Sequence, residues 1–382
     1  MTKLFIEFFK TEKAAGVVLM LCTIVSLGLA NSGLTDSYVS FWHISLFGSP
    51  LSYWINDGLM TLFFLLVGLE IEREIYVGEL SQPRNVLLPI VAAVGGMTVP
   101  AMIHFSFNAG TETQAGIGIP MATDIAFALG ALSLLGKRVP VSLKIFLTAL
   151  AIIDDLGAVI VIGLFYTKEI ALANLLIALL IIGVLVISNR LRFGNLPFYL
   201  AWGVLLWYFI HQSGIHPTLT GVILAFVVPF GKGDESSPSH KLQHRLHYLV
   251  AFFVLPLFAL SNTSLTFTGN WFGSLLHPNS VGIVLGLVAG KCVGITFFSL
   301  IAVKMNICSL PTYVSWKQIF SVSILGGIGF TMSFFITMLA FQDTSLVANA
   351  KIAVLAASLI AALTGYLTLR FTLKVPSADV QT

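Results

Sequence analysis

The sequence predicts an all-α integral membrane protein of about twelve transmembrane helices, two of them broken. Three observations carry this. Of the 382 residues, 57% are hydrophobic and only 10% charged, against about 25% charged in a soluble domain. The apolar residues gather in runs that, at 1.5 Å rise per residue, are long enough to cross about 30 Å of hydrocarbon. Two of those runs are interrupted in their interiors, one by glycines with a proline and the other by glycines alone, where a helix is hardest to keep. The longest polar stretch is about 231–247, so the chain reads as a single transmembrane domain, 1–382, with no soluble appendage.

The runs fall at approximately 12–30, 54–75, 86–107, 115–135, 141–166, 170–188, 196–211, 215–230, 247–263, 281–302, 317–341 and 347–372. Lys3, Lys10 and Lys13 before the first run resemble the flank of a secretory signal. That run is about 17 residues long, more than a signal core needs, and reads as a retained helix. An even number of spans puts both termini on one side. Placing them inside leaves all 20 Lys and Arg on inner segments except Lys168, Lys291 and Lys351, which is the bias that sets orientation in membranes. The three cysteines, Cys22, Cys292 and Cys308, are odd in number and lack metal-ligand spacing.

The first outer loop, 31–53, is the longest outside. Residues 40–53 are rich in β-formers and aromatics around Gly48, Ser49 and Pro50. A short β-hairpin fits this pattern, with an edge able to pair with a second copy. An interfacial aromatic loop fits it equally.

Span four is interrupted by GIGIPMATD at 116–124 and span eleven by GGIGFTMS at 326–333. Non-helical backbone at membrane depth survives only where protein or a cavity satisfies it. The alternative is glycine for close helix packing. Each break lies in the middle member of a triplet of spans, about 86–166 and 281–372. The triplets are offset by seven spans, an odd number, so they run in opposite senses. That is the inverted repeat of secondary transporters, whose site lies at the breaks.

The charged residues that stand out within spans are Asp57, Asp124, Asp154, Asp155 and Lys291. An ionised Asp at the centre of a membrane helix costs about 2.5–3.5 kcal/mol on the insertion scale, so such residues mark an ion or proton path. Asp154 and Asp155 are adjacent and point about 100° apart on a helix; one is expected to face the ion and the other a partner helix. Burial and mutual repulsion disfavour the ionised form, so the pair can trade a proton for a cation. Asp124, beside the hydroxyl of Thr123, follows the first break. Oxygen ligands at Asp154 and Asp155 suit a hard cation, not zinc or copper. Lys291 is the counter-charge, or else a lysine snorkelling to an interface. Asp57 is either an accessory site residue or a helix cap. On the inner face, Glu70, Glu72, Arg73, Glu74 and Glu79 meet His240, His244 and His247 either as a proton-sensing mouth or as an ordinary solvated loop.

Two rival classes use some of the same residues. An intramembrane aspartyl protease would place two Asp on different helices about a peptide, but a lysine neutralising one of them argues against it. A passive channel needs no proton-binding pair. A transporter, not an enzyme, is expected, with no cofactor and no nucleic-acid partner.

At these residues the chain resembles the NhaA family of bacterial sodium–proton antiporters. The matching stretches are FFLLVGLE at 63–70, ATDIAFALG at 122–130, ALAIIDDLG at 149–157 and GGIGFTMS at 326–333, and the likeness runs nearly end to end. It implies a pH-regulated, electrogenic exchange of sodium or lithium for protons across a bacterial inner membrane, with both termini cytoplasmic. Asp155 would be the principal cation ligand, Asp154 would pair with Lys291, and Asp124 with Thr123 would line the first break. The resemblance assigns the pH response to Glu70, Glu74 and His216; by itself His216 reads as a cap beside Pro217. It also implies a homodimer through 31–53. Gln243 and Glu72 depart from the charges of the best-studied member, which implies a shifted activation pH.

Overall fold

Long apolar runs become long helices, because in hydrocarbon a backbone has no other way to satisfy its own polar groups. The computed structural model describes residues 3–78, 81, 83–167, 170–267 and 271–373. Glu79, Lys168 and Lys374 lie outside the described residues. In chain order the helices are α1 (Lys3–Ala30), α2 (Thr35–Trp42), α3 (Leu51–Tyr76), α4 (Pro83–Asn108), α5 (Ile125–Ser133), α6 (Val141–Phe165), α7 (Leu172–Arg190), α8 (Leu196–Gln212), α9 (Leu219–Val227), α10 (Pro238–Asn262), α11 (Pro278–Lys304), α12 (Trp316–Leu325), α13 (Phe330–Ala340) and α14 (Thr344–Thr372).

Among the described residues, eight helices are long and apolar enough to cross a membrane. Two bent pairs raise this to ten: the 3-10 segment Glu112–Met121 with α5, at 41°, and α12 with α13, at 49°. The other two expected spans correspond to shorter helices. α8 has 17 residues and α9 only nine, its backbone turning extended at Val228 before Pro229. The helix at 196–212 thus agrees with the expected span, and the twelve-span reading is coarser than the structure at 215–230. α7 leaves Leu172, Leu176, Leu179, Leu180 and Ile187 exposed, an apolar surface suited to lipid.

The short hairpin is present. β1 (Ser45–Leu46) pairs antiparallel with β2 (Ser49–Pro50), Leu46 opposite Ser49. Phe47 and Gly48 both have positive φ, 51° and 84°, the turn that matches strand twist in a two-residue loop. The Trp54 indole donates to the Leu46 carbonyl at 2.8 Å, tying the hairpin to the start of α3.

Contacts divide the chain into two units. The first comprises Met1–Val17, Gln82–Gly157 and Phe267–Thr382; the second comprises Val18–Ser81 and Ala158–Thr266. In the second, α3 and α9 approach through glycine: a Cβ on Gly221 would stand 2.3 Å from the Thr61 carbonyl oxygen. In the first, α4 and α11 cross closely. Gly282, Gly286, Gly290 and Gly294 recur every four residues along α11, and a Cβ on Gly294 would stand 2.1 Å from the Gly95 carbonyl oxygen. Lipid supplies no hydrophobic drive between helices, so this backbone-to-backbone approach supplies the dispersion contact instead.

Candidate ion site at the crossed breaks

The two interruptions meet. Pro120 has no N–H to give a helix, the 3-10 segment ends at Met121, and Ala122 is extended (φ −84°, ψ 151°). In the other break, a Cβ on Gly327 would lie 2.3 Å from the Leu287 carbonyl oxygen, so glycine there both ends a helix and allows a close approach. Each break satisfies polar groups that the other frees. The Asp124 N–H donates to the Ile328 carbonyl at 2.6 Å. The Thr123 hydroxyl lies 2.8 Å from the Gly326 carbonyl oxygen, and the Ser333 hydroxyl donates to the Ile119 carbonyl at 2.7 Å.

Asp124 sits between two helix beginnings. Its Oδ1 accepts from the Phe127 N–H at 2.9 Å, capping α5. Its Oδ2 accepts from the Thr331 N–H at 3.0 Å and from the Thr331 hydroxyl, at the start of α13. Helix N-termini carry partial positive charge, so a carboxylate there answers both. Lys291 does the converse beside the ends of the preceding half-helices. Its Nζ donates to Thr123 Oγ1 at 3.0 Å and to Asp154 Oδ2.

Asp154 and Asp155 lie on α6, and both are fully buried, as is Lys291. Asp154 Oδ2 takes the ion pair with Lys291 and also accepts from the Thr123 hydroxyl at 2.7 Å. Its Oδ1 has no hydrogen-bond partner among the described residues. Lys291 follows a π-helical turn, Gly286–Gly290, in α11. A Cβ on Gly286 would meet the Pro120 ring at 2.7 Å, so this bare turn lets the broken segment lie beside the lysine. In the first unit Thr123, Asp154 and Lys291 are thus in direct contact, with Asp124 next to Thr123 and Asp155 next to Asp154 along the chain, and all five are buried. A sodium ion would find carboxylate, hydroxyl and carbonyl oxygen there, the donors that hard cations prefer.

The remaining residues belong to the second unit. Asp57 is no helix cap: it lies inside a π-helical stretch, Trp54–Leu59, at the head of α3. His216 Nε2 stands 3.8 Å from Asp57 Oδ1, and His216 Nδ1 is 2.8 Å from Thr218 Oγ1. The cap position of α9 is Thr218 rather than His216. Glu70 meets His247 at 3.7 Å, Glu72 is buried, and Glu74 is partly exposed.

Sequence reasoning missed Thr331, the second partner of Asp124. It also missed Ser358, whose hydroxyl accepts from the Phe330 N–H at 3.2 Å. Lys351, placed near the outer face by the span boundaries, is buried, with Nζ 5.6 Å from the Phe334 ring centroid. The one available signal was polarity: Thr331 lies within the interruption at 326–333, and Ser358 interrupts an apolar run.

The profile of the Na+/H+ antiporter 1 family matches residues 6–369. The chain is similar to a protein of Flavobacterium psychrophilum named Na(+)/H(+) antiporter NhaA, 57% identical over 98% of this chain and 97% of that one. A protein of the same name from Cytophaga hutchinsonii is 55% identical over 99% and 98% of the two chains. Another, from Vibrio alginolyticus, is 47% identical over 96% and 97%. Its long apolar helices and this end-to-end match make the chain a multi-pass membrane protein belonging to the Na+/H+ antiporter 1 family.

Proposed function

We propose that the chain is an electrogenic antiporter that expels sodium, or lithium, in exchange for a larger number of protons, and that it serves sodium and pH homeostasis. The observation that carries this reading is the buried Lys291–Asp154 pair at the crossing of two broken helices, with Asp155 one residue on. An ion pair buried away from water is stable only while both charges keep partners. A cation entering beside Asp155 competes with protons for the carboxylates and with the ammonium for Asp154. Release of the cation restores the pair or a proton. The locus is therefore never left with uncompensated carboxylate charge, and that links the two fluxes.

In this reading Asp155 is the principal cation ligand and Thr123 a hydroxyl ligand, while Asp124 balances the facing helix ends. The triplets at 86–166 and 281–372 act as an inverted repeat and open the site alternately to each side. Glu70 and Glu74, with His216 near Asp57, provide the pH response. The protein lies in a bacterial inner membrane with both termini cytoplasmic, pairs with a second copy through 31–53, and needs neither a cofactor nor a covalent reaction.

The test is an everted or reconstituted vesicle carrying an imposed proton gradient. Adding sodium dissipates the gradient, and Asp155→Asn removes that response. Sodium flux without proton movement would mark a channel instead. Exchange by Asp155→Asn at the parent rate would remove Asp155 from the site.

A further inference from the structure

A second buried polar cluster lies in the first unit, away from the aspartates. His104 and Asn108 on α4 are fully buried, and Asn279 on α11 is 3% exposed. His104 Nε2 and Asn279 Oδ1 are 3.0 Å apart. Two atoms of this pair, His104 Nδ1 and Asn279 Nδ2, are buried without a hydrogen-bond partner among the described residues. Exchanging the imidazole tautomer and turning the amide over leaves the same number of open groups. Either way, one open group donates and one accepts. A bare cation wants acceptors only, whereas water both donates and accepts, and buried water takes two to four such partners.

The cluster is joined to the surface by a string of hydrogen bonds. The exposed Thr111 hydroxyl lies 2.8 Å from Thr113 Oγ1, which donates to Asn108 Oδ1 at 2.7 Å. Asn108 Nδ2 in turn donates to the His104 carbonyl at 2.9 Å and to the Pro278 carbonyl at 3.3 Å. The cluster also adjoins both broken spans. A Cβ on Gly116, within the 3-10 segment, would lie 3.2 Å from His104 Cε1 and 2.7 Å from Phe341 Cζ. Phe341 directly follows α13. At about 2.0 Å per 3-10 residue and 1.5 Å per α-helical residue, Gly116 stands about 12 Å and Phe341 about 16 Å along their segments from the two breaks. Gly282 lets α11 close on the cluster: a Cβ there would meet Asn108 Nδ2 at 2.9 Å and His104 Cδ2 at 3.1 Å.

We propose that His104 and Asn279 hold internal water, and that this water is the antechamber through which the crossed breaks exchange protons and hydrated cation with one membrane face. His104 is here a residue of the path, not a ligand of the bound ion. The proposal rests on the antiport reading for its role and on geometry alone for the water.

Hydroxyl-radical footprinting by X-ray radiolysis of the full protein in lipid reads the water without any transport. Radicals form at bound water, so His104 is expected to be oxidised despite its burial, while fully buried Phe334 is not. In Asn279→Leu the His104 rate is expected to fall severalfold. A His104 as protected as Phe334 would overturn the proposal even if antiport is established. In proteoliposomes, His104→Leu is expected to lower the maximal sodium-driven proton flux about tenfold, with sodium binding by titration calorimetry unchanged. His104→Gln, which keeps a donor and an acceptor, restores the flux. An unchanged flux in His104→Leu, or no rescue by glutamine, would also overturn it.

Discussion

Lys291→Met isolates the energetics of the buried pair. Both partners are fully buried, so the substitution removes the ammonium and leaves Asp154 with the Thr123 hydroxyl at 2.7 Å as its hydrogen bond. Breaking a buried pair by removing one partner costs about 3–5 kcal/mol, because the other charge remains desolvated. In domains of 150–250 residues each kcal/mol moves Tm by about 2–4 °C, so a fall on the order of 10 °C is expected in sodium-free detergent. The paired variant Lys291→Met with Asp154→Asn leaves no charge to desolvate. Replacing a whole buried pair by neutral groups is often close to neutral, so most of the loss should return. Intrinsic-fluorescence melting of the parent, both single variants and the double variant completes a mutant cycle. If Lys291→Met melts with the parent, or if the two single effects simply add, the pair does not carry the stability assigned to it.

Further outcomes follow from particular contacts. Gly294→Val must part α4 from α11, since its Cβ would stand 2.1 Å from the Gly95 carbonyl oxygen. A loss of about 3 kcal/mol or more is expected, read as loss of a monodisperse peak in size-exclusion chromatography. Gly183→Val, with nothing within 4 Å of its Cβ, should elute as the parent does. Thr123→Val removes the hydroxyl from Asp154 and from the Gly326 carbonyl and should depress exchange in vesicles at least tenfold, whereas Thr123→Ser should retain most of it; equal rates for the two would exclude the hydroxyl from the site. Asp343 caps α14 by accepting from the Ser345 hydroxyl and from the amides of Ser345 and Leu346. The Ser345 hydroxyl, then the amides, hold its carboxyl below the ordinary value of 3.8. The value is depressed by folding, so the cap is complete above the unfolded value and is lost as pH falls through the folded one. The protection of the Ser345 and Leu346 amides, relative to the free-peptide exchange rate at each pH, should be constant above about pH 5 and should fall below 3.8; protection that fades already near neutrality would contradict the cap.

Much of the architecture was legible because membranes punish polarity. Charged residues in apolar runs and two glycine-bearing interruptions stood out against 10% charge overall, while the turn signal at 48–50 left a hairpin and an aromatic loop equally open. The limits were geometric. Adjacent aspartates diverge by about 100°, and periodicity alone does not tell which of Asp154 and Asp155 turns toward Lys291. The π-helical turn at Gly286–Gly290 shifts the register of everything after it, including that lysine, which a 3.6-residue pattern does not anticipate. The Thr331 hydroxyl meets Asp124 from 207 residues away, and His104 meets Asn279 from 175. Such pairings are set by the tertiary crossing, not by local sequence. The span boundaries at 215–230 failed for a simpler reason: Pro229 and the polar start near Pro217 leave only nine helical residues between them.

Proton release on sodium binding tests the central claim most directly. Titrating sodium into the purified protein in buffers of different ionisation enthalpy counts the protons liberated per ion, by linkage. The account predicts about one or more protons released per sodium by the parent, and neither binding nor release by Asp155→Asn. Sodium bound with no proton set free, or bound equally well by the variant, would contradict it.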